Sequence, residues 1–218
     1  MPADTMWGIL GVLLGPAIAV VVHRHTGGRA LSEPAWSRHN HVPTRRITAI
    51  AVVAGLTLGL LGFRFAGSSA LPAWCWLAVT GIVLVLVDLE CHRLPRAVVA
   101  AMVLGGLLLL ATAAFFQGDT DPLVRAVAAA VVLFFGALVV AILAAPHLGG
   151  GDVSLYGAVG LYLGWAGWHQ VLLGLGLSLL LAAATAVLLV AGHRISVRDQ
   201  FAMGPAIIGG ALIALVLP

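Results

Sequence analysis

Residues 147–157 read HLGGGDVSLYG. An aspartate follows three glycines and opens an apolar stretch that runs on to about residue 167. A carboxylate beside a membrane-length apolar segment is costly to bury, so its place there points to function and calls for a partner. Working outward in both directions, apolar runs of roughly 15–22 residues recur, separated by polar or Gly/Pro breaks. They predict helices over 7–22, 47–63, 72–88, 97–116, 123–145, 153–167, 170–191 and 203–217. The fold class is therefore all-α, a polytopic transmembrane bundle of about eight spans. A seven-span count, with 153–191 broken differently, is the rival. The chain divides into an N-terminal pair of spans with a short basic loop, residues 1–69, and a six-span core, residues 70–218.

Composition agrees. Of the 218 residues 61% are hydrophobic and 9% charged, against about 25% charged in soluble domains. The net charge of +3 comes from eleven arginines and no lysine. They are spread between apolar runs rather than clustered among aromatics, which argues against nucleic acid and for a lipid bilayer as the partner surface. Cys75 and Cys91 lie within and just beyond one span. Sixteen residues of helix separate them by roughly 24 Å, too far for a disulfide. The first apolar run carries Asp4 ahead of it and its arginines behind it, the pattern of a retained first span with its N-terminus outside rather than a cleaved signal.

The eight-span arrangement sorts the charges. The loops 23–46, 89–96, 146–152 and 192–202 fall on one side and hold Arg24, Arg29, Arg38, Arg45, Arg46, Arg93, Arg96, Arg194 and Arg198. Only Arg64 and Arg125 fall on the other, so the first side is expected to be cytoplasmic. Asp88, ending the third span, and Asp152, opening the sixth, then share the cytoplasmic boundary although 64 residues separate them.

Two carboxyls in contact cannot both ionise cheaply, so one is suited to activate water as a base and the other to polarise a carbonyl as an acid. Such a pair hydrolyses a peptide bond without a metal or a serine. Gly149, Gly150 and Gly151 are expected to allow positive φ and close approach of an extended substrate. Pro95, seven residues after Asp88, is placed to start the fourth span at its first turn. A structural alternative stands beside this: Asp152 following a glycine turn is a plausible N-cap. Asp88, at a helix C-terminus where the dipole disfavours an anion, is poorly placed for a structural role.

Three stretches resemble the type IV prepilin peptidases, membrane aspartyl proteases of the GxGD type. They are DLECHRLP at 88–95, GGGDVSLYGAVGLYLG at 149–164 and FAMGPAIIGGALIAL at 201–215. Their order and spacing follow the family over roughly residues 70–218. The resemblance implies that Asp88 and Asp152 are the catalytic pair, that Gly149 and Gly151 support the second aspartate, and that Gly204 and Pro205 pack at the site. Glu90 is either a second acid of the site or a solvated loop residue. The resemblance further implies cleavage of the basic leader of a prepilin or pseudopilin helix at the cytoplasmic face of a bacterial inner membrane, with no cofactor and no metal.

The first loop departs from larger members, which carry paired cysteines in a longer insert and also methylate the new N-terminus. Here it has no cysteine, which leads to the expectation of a peptidase without methyltransferase activity. His23, His25, His39 and His41 are read as solvated or headgroup-facing rather than metal ligands, and Trp36 as an interfacial residue. Two other classes fit less well. A presenilin-like protease would place its first aspartate mid-helix after a tyrosine, whereas Val87 precedes Asp88. A proton-coupled transporter would favour midplane acids and repeated halves, and no repeat is visible.

Overall fold

Glycine and proline punctuate the apolar runs, and each interruption becomes a helix end. The computed structural model describes residues 3–26, 43–143, 149–192 and 202–217. These form eight helices: α1 (Ala3–Thr26), α2 (Thr44–Arg64), α3 (Leu71–Cys91), α4 (Arg96–Gln117), α5 (Asp121–Leu143), α6 (Gly150–Ala166), α7 (Trp168–Ala191) and α8 (Gly204–Val216). There is no strand among the described residues. Arg29, Trp36, Arg38, His39, His41, Arg194, Arg198 and Phe201 lie outside them.

All eight expected helices are present, with shifts of a few residues that matter at two places. α3 runs on to Cys91, so Asp88 sits inside its last turn rather than at its end. α6 begins at Gly150, so Asp152 lies within its first turn. Gly118 ends α4 in the left-handed region at φ 68°, which a side chain would resist, and a three-residue turn leads into α5.

Among the described residues, six helices are long and apolar enough to cross a membrane. The chain is a multi-pass membrane protein. α6 and α8, with 17 and 13 residues, span only about 25 and 20 Å, short of the roughly 30 Å of hydrocarbon. For α6 the reason is its surroundings. Every residue from Leu155 to Trp165 is buried by neighbouring helices, so it answers to protein rather than to lipid thickness.

Small residues set the packing, as expected where lipid removes the hydrophobic drive between helices. α1 lies on α2 with Gly11 against Ala54 and Gly15 against Ala51. α5 lies on α6 through Gly157, Gly160 and Gly164, which meet Phe134, Ala129 and Ala126. Two hydrogen bonds seat α4: Trp76 Nε1 donates to the Ala101 carbonyl (3.0 Å) and the Tyr162 hydroxyl to that of Met102 (2.6 Å). Gly105 and Gly106 make room for those rings.

Successive helices alternate in direction, so each end of the bundle gathers alternate termini. At one end Gln117 Nε2 donates to the Ser69 hydroxyl (2.5 Å), and Arg125 donates from Nε and Nη2 to the Gly164 and Trp165 carbonyls (2.7 and 2.8 Å). At the other end the start of α2 meets the end of α3, and the start of α8 meets the same turn of α3. That second end also carries Arg24, Arg45, Arg46, Arg93 and Arg96, whereas Arg64 and Arg125 lie at the first.

Candidate active site

Three helix ends converge where the buried acids lie: the last turn of α3, the first turn of α6 and the first turn of α8. Asp88 is 4% exposed. Its Oδ2 accepts a 2.8 Å hydrogen bond from the backbone N–H of Gly204, the first residue of α8. This resolves the awkward position seen in the sequence. The C-terminal end of α3 is unfavourable for an anion, but the N-terminus of α8 supplies a free amide and a positive dipole end from another part of the chain. A Cβ at residue 204 would stand 2.8 Å from that same oxygen, so glycine is what lets the amide approach. His92 caps α3 in the left-handed region at φ 50°, donating its N–H to the Asp88 carbonyl (2.8 Å).

Asp152 is half-buried in the first turn of α6. It is not the N-cap: Gly149 is, and Asp152 occupies the third helical position. From there its Oδ2 accepts the N–H of Gly149 (3.2 Å), while its own N–H donates to the Gly149 carbonyl (3.0 Å). Asp88 is close enough to Asp152 for its charge to be felt there. Both lie at one end of their helices rather than midway along them.

The glycines act differently from the expectation. None of residues 149–151 has positive φ; Gly149 is extended at φ −74° and ψ 150°. They serve close packing instead. A Cβ at 149 would meet Asp152 Oδ2 at 3.2 Å and one at 151 would meet Leu94 Cβ at 3.0 Å, whereas nothing lies within 4 Å at Gly150. A side chain at either outer glycine would crowd its neighbour, whereas the middle position is open.

Pro95 is the N-cap of α4, one position before the first turn where the sequence placed it, with φ −65° and ψ 116°. It ends a short loop that carries Leu94 against Gly151 and so ties the Asp88 segment to the Asp152 segment. Pro205, in contrast, faces an apolar cleft between α2, α3 and α8.

Glu90 is not a solvated loop residue. It lies in the last turn of α3 with its side chain 6% exposed and is ion-paired to Arg46 of α2. Two residues rotate a helix by about 200°, so Glu90 faces α1 and α2, where His23 and Thr26 also stand near it. Sequence reasoning missed Arg46 as its partner; the adjacent Arg45–Arg46 opening α2 was the available signal. It also missed Tyr156, one turn after Asp152, whose buried hydroxyl lies 3.4 Å from Ser178 of α7. Both cysteines are free.

This arrangement can be compared with known proteins. Residues 75–192, more than half of the chain and including both aspartates, match the model of the type IV leader peptidase family. The chain belongs to that family. The match covers α3 to α7, so this leader peptidase family member draws the amide that holds Asp88 from α8, beyond the matched residues. Neither a curated protein nor a solved structure matches the chain. Family membership makes it a membrane peptidase.

Proposed function

We propose that this leader peptidase family member is an aspartic endopeptidase whose catalytic pair is Asp88 and Asp152. One observation carries the reading: two acids 64 residues apart in sequence are gathered at one end of the bundle, each held by a backbone amide, with Asp152 within reach of the Asp88 charge. Two neighbouring carboxyls hold one proton more readily than none. The ionised carboxylate takes a proton from water, and the water oxygen attacks the scissile carbonyl carbon. The protonated carboxyl gives its proton to the carbonyl oxygen. Collapse of the tetrahedral intermediate then breaks the C–N bond, with a proton passing to the leaving amine.

The substrate is a prepilin or pseudopilin, cut between a basic leader and its apolar helix. The concentration of arginines at the dyad end supports a cytoplasmic site in a bacterial inner membrane. The test is cleavage of a single-span protein bearing a basic, glycine-ended leader, in vesicles holding the purified enzyme. Asp88→Asn and Asp152→Asn should each abolish cleavage while eluting and melting as the parent does. Full cleavage by either variant would refute the mechanism.

A further inference from the structure

α4 and α5 are neighbours in sequence, joined only by residues 118–120, yet they barely meet. Each is fastened separately to α6. α5 is held by the glycines 157, 160 and 164 and by Arg125, and α4 by the Tyr162–Met102 hydrogen bond. Between them, on the half of the bundle nearest the two aspartates, a groove of about 560 Å³ remains. Its walls are Val99 and Val103 of α4 and Val131 and Phe135 of α5, and its floor is Gly157 and Ala158 of α6. It opens sideways, where Leu104, Val131 and Phe135 are 66%, 49% and 56% exposed.

We infer that this groove seats the first turns of the substrate's own apolar helix, an inference that rests on the peptidase reading above. Continuity with the candidate active site selects the occupant. The groove ends at Leu94, Arg96 and Gly151. Gly151 adjoins Asp152 in sequence, and Leu94 belongs to the loop that leads from Asp88. A chain leaving the groove at that end passes directly to the carboxyl pair. From Arg96 to Leu104 the groove measures about 12 Å, which is roughly two helical turns. Ala100, Gly157 and Ala158 offer the small surfaces that let a helix backbone come close in lipid. A second apolar cleft, lined by Val53, Leu86 and Pro205, has no residue of the Asp152 turn in its lining.

The experiment uses the full chain in phospholipid vesicles and a single-span probe with a basic, glycine-ended leader followed by an apolar helix. A photoreactive benzoylphenylalanine is placed at Ala100 or Val131 of the Asp152→Asn protein, so that the probe stays uncut. Crosslinks to the first two turns of the probe helix are expected from both positions, and none from Leu108 or Val53. Lipid adducts alone, or probe crosslinks from Val53 instead, would overturn the inference. In the active enzyme, Ala100→Trp fills an exposed groove position and should raise KM about tenfold with little change in kcat, whereas Leu108→Trp should change neither. An unchanged KM in Ala100→Trp would also overturn it. Failure of the unsubstituted enzyme to cut the probe counts against the peptidase reading alone, since the crosslinks are read on the inactive protein.

Discussion

Replacing Gly204 by alanine isolates the contact that only the tertiary structure supplies. Local effects pull in opposite directions: alanine forms helix better than glycine, but a Cβ on the residue before Pro205 disfavours the helical region. The site opposes the change. The new Cβ would lie 2.8 Å from Asp88 Oδ2 and 3.3 Å from both the Cβ and Cγ of Asp88. Asp88, 4% exposed in the last turn of α3, has little room to yield. The 2.8 Å amide-to-carboxylate hydrogen bond must therefore lengthen or break. A hydrogen bond to a charged group is worth about 1.5–3 kcal/mol. If the reacting carboxyl depends on that bond for its position, kcat should fall by about one to two orders of magnitude. The assay is leader cleavage in vesicles at saturating probe, with thermal melting in detergent as the control. Gly150→Ala is the matched comparison, since nothing lies within 4 Å of a Cβ there, and it should cleave normally. Parental kcat in Gly204→Ala would refute the argument that α8 positions Asp88.

Glu90→Gln leaves Arg46 with a neutral partner in a largely buried setting, which should cost about 2 kcal/mol of stability. The thermal midpoint should drop while the folded fraction keeps its cleavage rate; a stable but inactive variant would move Glu90 into the reaction. Reporter fusions in the loop at 92–95 and in the segment 144–149 should both read cytoplasmic, and opposite sides would separate the two acids and end the dyad reading. Mass spectrometry of the product of co-expression, in a host without other such enzymes, should find a free N-terminal amine on the processed pilin. An added methyl group there would show transferase activity.

Much of the molecule is legible in the sequence because membranes impose one-dimensional rules. A bilayer demands apolar runs of a set length with their backbone hydrogen bonds satisfied internally, so the eight helices can be read from hydropathy and from Gly and Pro breaks. Alternation of direction then follows from counting. With it comes the placement of Asp88 and Asp152 at a common end, since parity of crossing needs no knowledge of packing. The proline seven residues after Asp88 and the glycines before Asp152 were legible for the same reason, being local.

What hydropathy cannot carry is which helix faces which, because one apolar surface is much like another in lipid. The role of Gly204 shows this. Nothing near residue 204 in sequence indicates that its amide meets a carboxylate 116 positions earlier; the packing of α8 against α3 and α6 decides it. Glu90 makes the same point from the other side. Its distance of two residues from Asp88 left open a second acid of the site or a solvated loop residue, but helical rotation turns it away to the half-buried Arg46 of α2. The groove beside Asp152 likewise exists only because α4 and α5 are fastened to different flanks of α6. The sequence by itself determined which segments cross and which end of the bundle holds the acids, since these depend on composition and order along the chain. Asp152 finds its amide within its own turn, at Gly149, but tertiary packing decided what Asp88 and Glu90 touch, since that depends on contacts between helices far apart in the chain.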